Sequence, residues 1–163
     1  MAFALEPLAQ NALDDLIKLR DIFIAEKILP LMLPKAKKLI EKHRKQGDYL
    51  LIITATNQFV TELIAQRLKV DDLIATVPEK NSRGFTGKIS GTPSFKEGKI
   101  TRLNEWLKTN QHSMQGSYFY SDSHNDLPLL KLVDHPVAVD PDPILKAFCE
   151  QHDWPIQSLR VAK

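Results

Sequence analysis

The sequence has a single cysteine, no long apolar run and almost no net charge, and each of these features narrows the class of protein. Cys149 is the one cysteine among 163 residues, which excludes an internal disulfide and a multi-cysteine zinc site and fits a reducing compartment. No apolar run approaches the roughly 20 residues that span a bilayer, so no membrane partner is predicted. A formal net charge of +2 is too small to indicate nucleic-acid binding.

The N-terminus also lacks the basic head and apolar core of a signal peptide, which predicts a cytoplasmic protein. The basic residues between positions 35 and 45 have no aromatic residues among them, so a solvated helix face explains them better than a nucleic-acid patch. The chain is long enough for one domain with a substantial core.

Apolar spacing predicts helices over residues 9–28 and 35–46, with Pro30 and Pro34 between them. From residue 49 onward, short apolar runs alternate with helical periods, and a glycine-rich hairpin lies within residues 78–98. The run at residues 49–53 is continuous enough to predict a strand buried on both faces of its sheet. This alternation predicts an α/β fold with a parallel sheet.

Two carboxylates follow the predicted strand at residues 118–120. The strand leads into the sequence Ser121-Asp122-Ser123-His124-Asn125-Asp126. Asp122 lies at the carboxyl end of the strand and Asp126 at the start of a helix, where ligands bind in open parallel sheets. Paired carboxylates there suit a hard cation such as Mg²⁺. An aspartate-rich turn that caps the helix, with Asn125 as one possible cap, is the alternative.

Two more strand or helix ends carry polar groups. Thr54 follows a strand and precedes a helix, which predicts an anion site, or simple capping by Thr56 or Asn57. Lys99 opens a helix against the helix dipole, which indicates an anion nearby, although an exposed lysine explains it equally well. A hydroxyl, an ammonium group and a carboxylate pair together supply most of a phosphoryl-transfer site. A nucleophile, or a base to activate water, was not found.

These residues resemble motifs two, three and four of the haloacid dehalogenase superfamily, most closely its phosphoserine-phosphatase-like and histidinol-phosphatase-like branch (subfamily IB). Longer segments, residues 54–61, 91–99 and 120–130, are also similar to bacterial members. The resemblance implies a Rossmann-like parallel sheet with helices on both faces over residues 35–163. Residues 1–34 would be the remnant of a helical cap and its linker. Response-regulator receivers combine similar residues, but in a different chain order.

The resemblance also implies roles for the site residues. Thr54 and Lys99 would be catalytic, and the groups that bind the phosphate of the substrate would be Thr54, Ala55, Asn125 and Lys99. Asp122 and Asp126 would hold a Mg²⁺ cofactor. His124 receives no role. The substrate would be a small phosphorylated metabolite such as phosphoserine or histidinol phosphate, hydrolysed by a phosphatase.

One family feature is missing from the sequence. The superfamily opens with a strand that bears an Asp-x-Asp-x-Thr motif, which provides the nucleophile, and nothing like it precedes Thr54. The one Asp-x-Asp pair, Asp140 and Asp142, follows the fourth motif and carries prolines. The first strand, which the family places between the strands ending at Thr54 and Ser121, is therefore expected to be missing.

We therefore expect a phosphomonoester hydrolase by family whose chain alone has little or no activity. Three alternatives remain at this point. The chain could be a non-catalytic phosphate-ester binding protein, half of a split enzyme whose complementing chain supplies the missing strand, or a truncated remnant.

Overall fold

A computed structural model describes residues 5–160 and divides the chain into two compact units, one extending to Lys99 and the other starting at Ile100. The predicted boundary between a cap remnant and an α/β core, after residue 34, does not coincide with this division and stays a prediction. Residues 1–4 of that remnant lie outside the described residues.

The N-terminal segment of the first unit is helical. Its α-helices are α1 (Glu6–Gln10), α2 (Leu13–Phe23) and α3 (Pro34–Gln46). The single helix predicted over residues 9–28 was wrong at its start, because Ala12 adopts an extended conformation between α1 and α2. Gly47 ends α3 with a φ of 83°, a left-handed conformation that favours glycine.

The sheet of the first unit has three strands in the order β1-β2-β3, and the helix α4 (Gln58–Leu68) connects the first two. The strands are β1 (Leu51–Asn57), β2 (Asp72–Asn81) and β3 (Gly84–Ser90). β1 and β2 are parallel, and β2 and β3 form the predicted hairpin. The hydrophobic core beside this sheet contains Leu5, Leu8, Leu16 and Phe85.

The helix α5 (Glu97–Asn110) runs across the boundary between the units. The second unit contains a parallel sheet in the order β4-β5-β6, formed by β4 (Tyr118–Ser121), β5 (His135–Val139) and β6 (Ile156–Gln157). Its helices are α6 (Leu127–Leu130) and α7 (Pro143–Gln151). The residues that form its core are Leu130, Ala138, Leu145 and Cys149.

The predicted α/β fold with parallel strands is confirmed, but one strand is less buried than expected. In β1, residues 51–53 are only half-buried, and Tyr49 lies before the strand with 46% of its surface exposed. β1 is an outer strand of its sheet, and β4 is an outer strand of its own. An outer strand lacks a neighbour on one side, so its side chains lose contacts there. No helix among residues 5–160 is long and apolar enough to cross a membrane.

Candidate functional site

The residues predicted to carry chemistry fall into two groups, one in each unit. The hydroxyl cluster comprises Thr54, Ala55, Thr76, Ser94 and Lys99 in the first unit. The acidic loop comprises residues 121–126 in the second unit.

Thr54 lies in an irregular part of β1. The pairing of β1 with β2 slips between Ile53 and Asn57, which places residues 54–56 outside the regular ladder. The Thr54 hydroxyl accepts a hydrogen bond from the Thr56 N–H at 3.2 Å, which stabilises this turn. The strand was expected to stop before Thr54, whereas it continues to Asn57. Bulges of this kind redirect side chains and are frequent next to active sites.

The side chain of Asn57 caps α4, which confirms the predicted capping, while the anion site at this turn stays a prediction. Its side-chain oxygen accepts a hydrogen bond from the Val60 N–H at 3.1 Å, and α4 begins at the next residue. This cap satisfies one of the first N–H groups of the helix. Thr56 is exposed and is not the cap.

Thr76 connects the two parts of the hydroxyl cluster. Its hydroxyl donates to the carbonyl oxygen of Ala55 at 2.9 Å and accepts from the N–H of Ser94 at 3.2 Å. Thr76 is only 3% exposed, so both hydrogen bonds are shielded from water. Sequence reasoning missed this residue, because a threonine inside a strand carries no signal of a long-range contact. Through Thr76 the bulge of β1 is joined to the segment that leads to Lys99.

Lys99 lies in the first turn of α5 and is only 7% exposed, so the exposed-lysine alternative was wrong. A close backbone approach before it depends on Gly98. An added Cβ on Gly98 would lie 2.1 Å from the carbonyl oxygen of Pro93, which no side chain tolerates. Burying an ammonium group is costly unless polar or charged groups surround it. The first turn of α5 therefore contains a buried lysine. The residue before it must be glycine, because a Cβ there would collide with the Pro93 carbonyl oxygen.

The acidic loop is held from within by Ser121, the last residue of β4. The Ser121 hydroxyl donates to a carboxylate oxygen of Asp126 at 2.8 Å and accepts from the Ser123 N–H at 3.2 Å. Asp126 is buried to 9% exposure, whereas Asp122 is exposed. The Ser121 hydroxyl therefore fixes the position of the second carboxylate, that of Asp126.

Ser123, and not Asn125, caps the short 3₁₀ helix His124–Asp126. The Ser123 hydroxyl accepts from the Asn125 N–H at 3.3 Å and from the Asn125 side-chain amide at 3.2 Å. Capping by Asn125 was therefore wrong. The amide of Asn125 is half-buried and oriented by this contact.

Asp142 ties the acidic loop to α7. One of its carboxylate oxygens accepts from the N–H groups of Ile144 and Leu145 at 3.0 and 2.8 Å, which caps α7. Its other oxygen accepts from the His124 N–H at 2.7 Å and lies 2.9 Å from the ring Nδ1 of His124. The Asp142 N–H donates to the carbonyl oxygen of Asp122 at 2.8 Å.

These bonds change the ionisation of Asp142. Partial burial raises the pKa of its carboxyl group, but hydrogen bonds from the Leu145 and His124 N–H groups and from the His124 ring outweigh burial and lower the pKa to about 2. The carboxylate is therefore charged at neutral pH, and its bonds are charge-assisted. The sequence predicted a helix start after Asp142, but not the contact with His124, 18 residues earlier.

The acidic loop offers the donors that a magnesium ion prefers. It presents two carboxylates and a side-chain amide, and all of the candidate ligand atoms are oxygens. No group of three or more histidine, cysteine or acidic side chains gathers as a metal cage anywhere in residues 5–160. Mg²⁺ usually takes one or two carboxylates and completes its shell with water and phosphate oxygens, so this donor set fits the ion.

Neither Cys149 nor the pair Asp140 and Asp142 has the surroundings of a nucleophile in the structure. Cys149 is fully buried, and burial followed by the charge of Glu150 raises the pKa of its thiol, which makes the thiol unreactive. Asp140 has a φ of 43° and its carboxylate accepts from the Ser158 hydroxyl at 2.6 Å. Asp142 caps α7, so both members of the Asp-x-Asp pair stabilise turns.

Comparison with known proteins identifies similar sequences. A family model described as haloacid dehalogenase-like hydrolase matches residues 1–131. A histidinol-phosphatase from Neisseria meningitidis serogroup C (strain 8013) is 41% identical over 98% of this chain and 74% of its own length. The phosphoserine phosphatase SerB1 from Mycobacterium tuberculosis (strain ATCC 25618 / H37Rv) is 31% identical over 88% of this chain. This chain spans only 45% of that relative.

Solved structures show the same fold. A protein of unknown function from Bordetella pertussis Tohama I matches with a TM-score of 0.94 and 39% identity, over 98% of this chain and 73% of that one. A substrate-bound phosphoserine phosphatase matches with a TM-score of 0.59 and 21% identity, over 74% of this chain and 56% of that one, a likeness of fold alone.

Proposed function

The chain belongs to the haloacid dehalogenase-like hydrolase family, and from this membership we propose that it serves the Mg²⁺-dependent hydrolysis of a small phosphate monoester in the cytoplasm. The observation that carries the proposal is the 41% identity, over 98% of the chain, to a relative named histidinol-phosphatase. Histidinol phosphate is therefore the first candidate substrate, and phosphoserine is the second, since a more distant relative is named for it.

The hydroxyl cluster would bind the phosphate group. The Thr54 hydroxyl and the backbone of Ala55 lie in the bulge of β1, where residues are not paired in the regular ladder of the sheet. The buried ammonium group of Lys99 would neutralise the phosphoryl oxygens, an interaction that strengthens away from water. Asn125 would contribute an amide donor to the substrate or its phosphate.

The acidic loop would hold the cation. Asp122 is exposed and would ligate it directly, while Asp126, oriented by Ser121, would bind the ion or one of its waters. Bound Mg²⁺ would neutralise charge on the phosphoryl group during its transfer. The chain's own residues would supply orientation and charge, which are the larger part of catalysis of this reaction.

We further propose that this 163-residue chain binds phosphate esters but does not turn them over by itself, because no Asp-x-Asp-x-Thr motif precedes Thr54 in its sequence. A split enzyme is the second candidate, and one observation favours it. β1 and β4 are outer strands of their sheets, so each has an edge whose N–H and C=O groups could pair with an added strand. A complementing chain that carries Asp-x-Asp-x-Thr would provide both a strand and a nucleophile.

The test measures binding and turnover separately. Calorimetry with histidinol phosphate, in the presence of Mg²⁺, should detect binding to the purified chain and its loss in Lys99→Met. Lys96→Met is the matched control, since Lys96 is exposed and three residues away. Phosphate release by the chain alone would refute the absence of turnover. Failure of histidinol phosphate, phosphoserine and inorganic phosphate to bind would refute the proposed function.

The split-enzyme candidate has its own experiment. A synthetic peptide with an apolar strand followed by Asp-x-Asp-x-Thr should bind the chain and produce Mg²⁺-dependent phosphate release. Asp122→Asn should abolish that release. A peptide that neither binds nor activates the chain would leave the phosphate-ester binding protein as the better reading.

A further inference from the structure

The acidic loop carries the proposed cation ligands, and its internal side-chain hydrogen bonds start from Ser121 and Ser123. The Ser121 hydroxyl contacts Asp126 and the Ser123 N–H, and the Ser123 hydroxyl contacts Asn125. The carbonyl oxygen of the exposed Asp122 and the N–H of His124 are bonded from outside the loop. Both of these bonds come from Asp142, 20 residues beyond Asp122.

The contacts of Asp142 form a clamp around that first half. Its N–H donates to the carbonyl oxygen of Asp122 at 2.8 Å, and its carboxylate accepts from the N–H of His124 at 2.7 Å. The backbone is therefore held on both sides of Ser123. The same carboxylate is fixed at its other oxygen by Ile144 and Leu145 at the start of α7. The clamp rests on a helix that packs into the core through Leu145, which is fully buried.

We propose that Asp142 is a positioning residue that holds the acidic loop in the conformation in which Asp122 and Asp126 bind the cation. This role rests on the proposed Mg²⁺ site. Groups that hydrogen-bond to metal ligands orient those ligands, and losing such a group typically weakens metal binding by roughly 10- to 100-fold. Asp142 differs from a usual partner because it acts through the backbone of the loop and not through the ligand side chains.

Asp142→Asn separates the two tasks of this residue. An aspartate has two oxygens, one for α7 and one for His124, whereas an asparagine has only one. Asparagine is as good an N-cap as aspartate, so α7 should keep its cap and the loop should lose its acceptor. Asp142→Ser is a second variant that caps the helix but is too short to reach His124.

Asp140→Asn is the matched control. It removes the same charge two residues away, at a carboxylate whose bonds run to the Ser158 hydroxyl and the Leu159 N–H. Asparagine also tolerates the left-handed backbone of Asp140. This control separates the loss of a negative charge near the loop from the loss of the clamp.

Two measurements test the proposal on the full chain. Calorimetric titration with Mg²⁺ alone should show affinity weakened by about tenfold or more in Asp142→Asn and Asp142→Ser, and by about twofold at most in Asp140→Asn. Hydrogen exchange followed by NMR should show faster exchange of the His124 N–H in Asp142→Asn, with the Ile144 and Leu145 N–H groups still protected. If Asp142 only capped α7, its replacement would speed exchange of the Ile144 and Leu145 N–H groups and leave the His124 N–H protected.

The outcomes that overturn the inference are distinct from those that overturn the proposed function. The positioning role is refuted if Asp142→Asn binds Mg²⁺ as tightly as the wild-type chain, or if Asp140→Asn weakens binding as much as Asp142→Asn does. Either result leaves the metal site standing. No Mg²⁺ binding by the wild-type chain, with the His124 N–H protected, refutes the metal site and the role together.

Discussion

The hydroxyl cluster lies around an irregular part of β1 and the acidic loop follows the end of β4, and different kinds of hydrogen bond hold the two. In the hydroxyl cluster, Thr76 makes two neutral hydrogen bonds at 3% exposure, to segments 21 and 18 residues away. The acidic loop is held by the half-buried carboxylate of Asp142, which lies outside the loop and makes charge-assisted bonds to it. Buried neutral hydrogen bonds do not depend on pH, but the loss of one partner leaves the other buried and unsatisfied. Charge-assisted hydrogen bonds weaken when the charge is lost.

The largest effect is expected in the hydroxyl cluster, from Gly98→Ala. The new methyl group would collide with the Pro93 carbonyl oxygen at 2.1 Å, so the backbone before Lys99 must shift. We expect a loss of roughly 3 kcal/mol in the free energy of unfolding, measured by urea denaturation.

Gly116→Ala is the control for that experiment. It has a φ of 72° but open space around the added Cβ, so only backbone strain of about 1–2 kcal/mol is expected. An equal or smaller loss in Gly98→Ala would contradict the close approach.

Thr76→Val should have the next largest effect. The change keeps the shape of the side chain but leaves the Ala55 carbonyl oxygen and the Ser94 N–H without the hydroxyl that serves them. A loss of about 2 kcal/mol in the free energy of unfolding is expected, the lower end of the cost of two buried groups without a partner at about 1–3 kcal/mol each. Thr76→Ser keeps the hydroxyl and should lose less than about 1 kcal/mol, the value of one buried methyl group. Equal losses in the two variants would show that the hydroxyl does not tie the cluster.

The acidic loop should respond to acid through Asp142. Because its pKa is lowered from 3.8 to about 2 in the folded chain, this carboxylate adds stability above pH 3.8 that disappears as the pH falls through about 2. The difference in free energy of unfolding between wild type and Asp142→Asn should therefore be constant at neutral pH and shrink over that range. Urea denaturation between pH 7 and 2 measures it. A difference that does not change across this range would contradict the charge-assisted clamp.

The sequence predicted the elements better than the contacts between them. Apolar periodicity placed β4, β5 and α7 because each pattern lies within a few residues, and the motif residues Lys99 and Asp122 were found at a helix start and a strand end, whereas Thr54 lies within β1. The bulge in β1 was not predicted, since it depends on how β1 pairs with β2. The half-burial of β1 was missed for a related reason, because its place at the outer edge of a sheet is a property of topology.

The residues that support the site were the harder part. Thr76, Ser121 and Asp142 act through hydrogen bonds, and a hydroxyl or carboxylate in a sequence does not indicate its partner. Asp142 shows the limit clearly. Its capping role follows from the local order Asp-Pro at a helix start, whereas its bond to His124 requires two strands to lie side by side.

The smallest effect is expected from Ser94→Ala, although Ser94 is bonded directly to Thr76, whose change to valine is expected to be costly. Ser94 is fully buried, and its hydroxyl has no hydrogen-bond partner among residues 5–160, while its N–H is the group that Thr76 accepts from. Alanine keeps that N–H and removes a buried hydroxyl that gains nothing, so the free energy of unfolding should change by less than about 0.5 kcal/mol. The same urea denaturation measures it. A loss as large as that of Thr76→Val would mean that the hydroxyl cluster depends on both hydroxyls, and the contrast between the essential hydroxyl of Thr76 and the dispensable hydroxyl of Ser94 would fail.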